Sequence, residues 1–205
     1  VTGVQTCALP ISRDTPIVET DEIQPMNNPY AGSKYSAELA IRHSGVDHVI
    51  FRYFNLAGAD VDGEFGECHQ PETHLIPVIL QNLNNFTAFG NDYPTPDGTC
   101  VRDYVHVSDV AEAHLKAAEY LLEGKPSQTI NLGTGQGHSV KEIVNLVETV
   151  TKQKVNCNYG ARRIGDPAFL TADITFAKDV LNYRPKHDII SIIKTAYEWE
   201  TRNEQ

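Results

Sequence analysis

The sequence predicts an α/β protein. Short β-branched and aromatic runs at residues 48–54, 101–107 and 128–132 alternate with segments whose apolar residues fall three and four apart, such as 110–121 and 189–199. That alternation is the pattern of strands joined by helices. The totals agree: the 205 residues are 40% hydrophobic and 21% charged, a globular composition that suits one ordinary domain or part of a larger protein. A net charge of −10 argues against nucleic acid or an anionic membrane as the main partner. No apolar run approaches the length of a bilayer span. The four cysteines (Cys7, Cys68, Cys100, Cys157) are far apart and form no Cys-x-x-Cys pair, which suits reduced thiols in the cytoplasm.

Residues 1–12 lack the basic start and long apolar core of a secretory signal. They resemble a translated sequencing-library adapter, so the expectation is that they are non-native and that the native chain begins near Arg13, as a piece of a longer protein. Residues 13–27 are polar and loop-like, with Pro16 and Pro25. Asn28 as cap and Pro29 at the first helical position open a helix to about residue 44, with an apolar stripe at Leu39, Ala40 and Ile41 and a stop at Gly45. Residues 48–54 read as a buried strand closed by 55–59, and residues 60–73 as an acidic loop. A helix over 75–83 and a short strand over 87–89 precede a turn-rich stretch at 90–99. After the strand at 101–107, Ser108 or Asp109 caps a helix to about Leu122. The strand at 128–132 enters the turn Gly133-Thr134-Gly135-Gln136-Gly137. Ser139-Val140-Lys141-Glu142 fits a capping box for the helix carrying Ile143, Val144 and Val147. A strand over 154–159, an Arg-containing loop, a short helix over 175–181 and a last helix from about Asp188 complete the chain.

Tyr30 and Lys34 stand four apart and so share one helix face. A free Tyr has a pKa of about 10, and bringing it near neutrality takes about three units, roughly 4 kcal/mol of differential stabilisation. A nearby ammonium works in that direction and would let the phenol take and return a hydroxyl proton. The spacing alone favours a half-buried aromatic beside a solvated lysine, because Tyr-x-x-x-Lys is common by chance. The glycine run at 133–137 fails the dinucleotide pattern, since His138 stands at the third glycine position and no acidic residue ends a strand about twenty residues on. It reads either as a turn approaching a ligand's phosphates or as a purely structural turn. Arg102 and Arg163, beside turn-rich loops, are the candidates for bidentate phosphate contact. Among the eight histidines, His69 and His74 are five apart, with no Cys or carboxylate clustered at ligand spacing, which points away from a metal. No hydrolase signature is present.

Several stretches together resemble the UDP-glucose 4-epimerases, extended short-chain dehydrogenase/reductases acting on nucleotide sugars. They are Asn28-Pro29-Tyr30-Ala31-Gly32-Ser33-Lys34, Arg52-Tyr53-Phe54-Asn55-Leu56-Ala57-Gly58-Ala59, His74-Leu75-Ile76-Pro77, residues 89–107, Asn131-Leu132-Gly133-Thr134-Gly135 and Arg162-Arg163-Ile164-Gly165-Asp166-Pro167. The resemblance covers residues 14–202 in order, and 89–107 is its most specific part. It implies the C-terminal part of a Rossmann-type fold plus a small α/β substrate-binding domain: residues 13–60 a remnant of the NAD-binding domain, and 61–205 mainly the nucleotide-sugar region, with Rossmann contributions near 101–135.

The resemblance also implies roles. Tyr30 is the acid/base on the sugar 4-hydroxyl, Lys34 binds the nicotinamide ribose and lowers the Tyr30 pKa, and Phe54 lies by the nicotinamide. Asn55, His74, Leu75, Thr87, Phe89, Arg102, Arg163 and Asp166 line the UDP-sugar pocket, with both arginines on the diphosphate. Some members carry Asn at the His74 position. Leu170 falls about where a residue gates the sugar end, and a Leu there is smaller than the Tyr of some members, so an N-acetylated sugar would also fit. The implied reaction interconverts UDP-galactose and UDP-glucose by transient oxidation at C4 with NAD, in a homodimer that pairs through helices including the one after Tyr30. The family's first βαβ unit, with its Gly-rich NAD loop, and the Ser/Thr that assists the Tyr are absent from these residues. The chain alone is therefore expected to bind NAD poorly and to show no turnover. The alternatives are another nucleotide-sugar member (a 4,6-dehydratase, or an N-acetylhexosamine or pentose 4-epimerase) and a non-catalytic UDP-sugar-binding remnant.

Overall fold

Three consecutive residues, Val49, Ile50 and Phe51, are wholly buried, as expected of a strand covered on both faces in a parallel sheet. The structure, a computed structural model, describes residues 2–3, 15–22 and 29–203. Among these the chain order is β1 (Thr2–Gly3), α1 (Pro29–Arg42), β2 (Val49–Tyr53), β3 (Asn55–Ala57), α2 (Leu75–Gln81), β4 (Phe86–Phe89), β5 (Val101–His106), α3 (Val107–Leu122), β6 (Gln128–Leu132), β7 (Gly137–Ser139), α4 (Val140–Thr151), β8 (Cys157–Gly160), β9 (Phe169–Leu170), α5 (Thr175–Leu181) and α6 (Ile189–Asn203). The α/β class holds.

β1, β2 and β6 form a parallel sheet in that order, with Thr2 opposite Ile50 and Tyr53 opposite Leu132. Thr2–Gly3, within the stretch set apart as non-native, thus stands in register beside β2. β3, β5 and β7 form a second sheet, with β9 also on β5; β4 and β8 form a parallel pair. One core gathers β2, β6, α3 and α5 around Phe51, Ala113, Ile130, Leu132 and Ala177. The other gathers α2, α4 and α6 around Ile76, Ile79, Ile143, Val147, Ile192 and Ile193. β5 joins them, since Tyr104 packs in the second core and Val105 in the first.

Several local expectations are corrected. The run at 48–54 does not simply close at 55–59: the Phe54 N–H makes the last bond to Leu132 O at 2.9 Å, and β3 then pairs with β5, Asn55 opposite Tyr104. In α1 the stripe Leu39, Ala40, Ile41 is not the buried face. Ala31 and Glu38, seven apart, are buried instead, because the Glu38 carboxylate receives Arg52 of β2 through Nη2 at 2.7 Å and Nε at 3.2 Å. The expected cap Asn28 lies outside the described residues. α3 is capped by neither Ser108 nor Asp109 but by His106, whose Nδ1 accepts the Ser108 N–H at 3.1 Å. Half of the capping box forms: Ser139 Oγ accepts the Glu142 N–H at 3.0 Å, while the Glu142 carboxylate turns to His138 Nδ1 at 2.7 Å. β7 and β9 were hidden in segments read as turn and loop, and β8 begins at Cys157 rather than at residue 154.

Candidate functional site

Strand alternation sends Arg102 and Tyr104 to the same side of β5, and both, with Cys100 just before the strand, line a cleft of about 380 Å³. The start of α2 brings His74, Leu75 and Val78 to another wall, β4 brings Thr87, Ala88 and Phe89, and the loop before β9 brings Arg163 and Asp166. Asn55, at the start of β3, completes the set; its amide donates to Asp103 O at 2.9 Å. With Val140 at the start of α4, residues from six separate segments of the chain therefore converge on one volume. All the residues expected to line a UDP-sugar pocket do line this cleft except Leu170, which lies on β9 opposite Arg102.

The two guanidinium groups are held differently. Arg102 is nearly buried: its Nη1 donates to Val101 O and Pro167 O, both at 2.8 Å, and its Nη2 lies 3.7 Å from Asp166 Oδ1. Arg163 stacks over the Phe89 ring, 4.3 Å from its centroid. The adjacent Arg162 points elsewhere, pairing with Asp92 at 2.6 Å and covering the Tyr93 ring at 4.4 Å. It thereby ties the 160–167 loop to the turn after β4. Burial pushes the Cys100 thiol and the Tyr104 phenol up, so both are neutral at pH 7. The sequence reading missed Cys100, Tyr104 and Glu72, which also line the cleft; the period-two alternation around Arg102 was the available signal for the first two.

Tyr30 and Lys34 share one face of α1, the ammonium 5.4 Å from the ring centroid. Neither they nor Phe54 are among the cleft's lining residues. Glu38 fastens α1 to β2 through Arg52, which also donates to Glu19 O at 3.1 Å, and Arg42 adds a second contact to Glu38 at 2.8 Å.

The glycine turn after β6 proves structural. Asp103 Oδ1 accepts from Thr134 N and Oγ1 at 2.8 and 2.7 Å, and its Oδ2 from Gly135 N at 2.9 Å and Ala172 N at 3.1 Å. Amides that would cradle a phosphate are thus committed to an internal carboxylate. A Cβ on Gly133 would stand 2.5 Å from Asp103 Oδ2, which explains that glycine. Burial pushes the Asp103 carboxyl up, while these donors pull the other way. The statement that His69 and His74 lack carboxylate neighbours is also corrected. Glu67, His69, Glu72 and His74 come together, one ligand atom from each within 4.8 Å of the others, because the 67–74 loop folds back on itself.

The family model described as NAD dependent epimerase/dehydratase matches residues 5–133. A UDP-glucose 4-epimerase of Rhizobium meliloti is 44% identical over 211 residues, covering 98% of this chain and 63% of that protein. The chain is similar to a crystal structure of UDP-glucose-4-epimerase from Stenotrophomonas maltophila with bound NAD and formylated UDP-arabinopyranose, with TM-score 0.91 and 36% identity over 98% of this chain and 62% of that one. The epimerase of Brucella ovis in complex with NAD gives TM-score 0.86 at 42% identity, over 95% and 62%. The chain spans a little under two thirds of the length of these relatives.

Proposed function

The chain belongs to the NAD dependent epimerase/dehydratase family, and from that premise we propose that its cleft binds UDP-sugars and that the whole protein, with NAD, interconverts UDP-galactose and UDP-glucose, this chain alone showing no turnover. The observation that carries this reading is the meeting of Arg102 and Arg163 in one cleft with Phe89, Asn55 and the start of α2. Two guanidinium groups suit a diphosphate, and the apolar walls suit the flat faces of base and sugar. Tyr30 and Lys34, which share one face of α1 with the ammonium 5.4 Å from the ring centroid, are the residues that would hold the nicotinamide end of NAD, with Phe54 assigned beside them by the family resemblance. The glycine turn after β6 does not fit the cofactor's diphosphate, its amides being taken by Asp103.

When bound, NAD supplies the acceptor and donor of hydride at sugar C4. Tyr30 takes the proton of the 4-hydroxyl and returns it, and the Lys34 charge favours the phenolate form. Arg102 and Arg163 keep hold of the diphosphate while the sugar turns its other face. The reading divides the chain near residue 60, and the two cores support it in part: residues 49–56, 105–132 and 176–183 contribute to one, and Ala57, 75–104, 140–169 and 189–196 to the other. It includes a cytoplasmic setting, supported by free thiols at Cys68, Cys100 and Cys157, and a homodimer, supported by apolar side chains exposed on α1 (Leu39) and α3 (Leu115). Use of UDP-N-acetylhexosamines is a second reading, drawn from Leu170 beside Arg102.

Calorimetric titration of the purified chain with UDP-glucose and with uridine tests the cleft. UDP-glucose is expected to bind more tightly, by an advantage that falls about ten- to a hundredfold in Arg102→Ala and Arg163→Ala. Equal affinity for the two ligands would falsify the diphosphate assignment.

A further inference from the structure

Four side chains of the loop between β3 and α2 meet at the rim of the cleft: Glu67, His69, Glu72 and His74, one ligand atom of each lying within 4.8 Å of all the others. We propose that this cluster binds one divalent first-row transition cation of the Zn²⁺ or Co²⁺ kind. Two imidazoles and two carboxylates are the donors such cations take, whereas Ca²⁺ and Mg²⁺ call for oxygen alone. A tetrahedral ion with bonds of about 2.0–2.2 Å would draw the four atoms to roughly 3.4 Å apart, so only a modest contraction separates the present arrangement from a bound one.

Part of the set is already in place. The His69 and His74 rings stack with centroids 5.5 Å apart and planes 23° from parallel, so binding one ion turns at least one ring to bring its in-plane lone pair onto the metal. Glu72 Oε1 lies 3.4 Å from His74 Nδ1 and 3.9 Å from His69 Nδ1, between the two imidazoles. That oxygen is fixed by the Thr73 and His74 N–H groups at 2.6 and 2.7 Å, and the Glu72 side chain is 7% exposed. Glu67 closes the set by its contact with His74 Nδ1. The Glu67 backbone is anchored in turn, its carbonyl accepting the Trp199 indole N–H of α6 at 2.8 Å. All four ligands fall within eight positions of sequence, so closing the site orders only a short loop. Four protein ligands leave no open coordination position, and the metal is structural: it would clip the 67–74 loop to the start of α2, where Glu72 and His74 face the cleft.

Co²⁺ reports this directly. The untagged chain, freed of metal by chelation, is titrated with Co²⁺ and followed by visible absorption. The expected result is saturation at one ion per chain with the intense bands of four-coordinate Co²⁺, bleached by Zn²⁺. Glu67→Gln and His69→Ala, both at solvent-accessible side chains, should each weaken binding at least about tenfold, with circular dichroism unchanged. Absence of the bands, or their persistence in the His69→Ala/His74→Ala double variant, would overturn the proposal. Nucleotide binding is not part of this readout, so its failure leaves the cleft's own assignment standing.

Discussion

His106 sits where β5 turns into α3 with both ring nitrogens engaged. Nδ1 caps the helix by accepting the Ser108 N–H, and Nε2 lies 3.1 Å from Thr195 Oγ1 of α6. Its ring stacks on His187 with centroids 4.1 Å apart, and a Cβ on Gly58 would press to 2.9 Å against it, so the left-handed turn at Gly58 (φ 86°) admits only glycine. Burial, and then the neighbouring His187, hold the His106 imidazole down at about 4. The unfolded chain, with an ordinary value near 6.5, therefore binds the proton that the folded chain refuses. The stability from a neutral His106 is complete above pH 6.5 and is lost as pH falls toward 4, up to about 3 kcal/mol in all. Urea midpoints measured between pH 7 and 4.5 should drop, and drop less in His106→Gln; an equal drop in both would remove His106 as the cause. At Tyr30 the expected outcome concerns turnover. In a preparation that epimerises UDP-galactose, Tyr30→Phe should lower kcat by about 10²- to 10⁴-fold with little change in KM, and an unchanged kcat would take the proton transfer away from this residue.

β5 connects most of the functional geometry. One side of it presents Arg102 and Tyr104 to the cleft, while Asp103 on the other side collects donors from the turn after β6 and from Ala172 beyond β9. Replacing Asp103 with Ala would leave the amides of Thr134, Gly135 and Ala172 without their acceptor. At about 1–3 kcal/mol for each buried group, partly relieved where water reaches Gly135, the expected loss is about 3–5 kcal/mol in chemical denaturation. The same variant should loosen the cleft, because β9 and the loop carrying Asp166 lean on β5. A loss below 1 kcal/mol would show that the turn holds without the carboxylate. α1 presents the opposite case to an ordinary amphipathic helix. Its anchor is the charge-paired Glu38 against Arg52, and its apolar Leu39 faces outward. A buried ion pair contributes less to net stability than to orientation, and orientation is what the roles proposed for Tyr30 and Lys34 would require.

Across the whole molecule, two cores share β5, and apolar side chains remain exposed on α1 and α3. If these surfaces pair in a homodimer, sedimentation velocity should find a dimer at micromolar concentration, and Leu115→Glu should convert it to monomer; a monomeric parent chain would refute the pairing. The features legible in the linear sequence were those that local periodicity writes. The spacing of three and four marked the helices, the alternation along 101–107 marked β5, and the family resemblance carried by compact motifs implied that Arg102, Arg163 and Phe89 share one pocket. What the linear order could not carry were pairings between distant positions. Glu38 finds Arg52 from fourteen residues away, Asp103 finds its donors more than thirty residues on, and His106 meets Thr195 across eighty-nine. A carboxylate has no intrinsic preference for the interior. Its burial is decided only when folding delivers the donors that replace water, and the packing of sheet against helix, not the local sequence, brings those donors within reach.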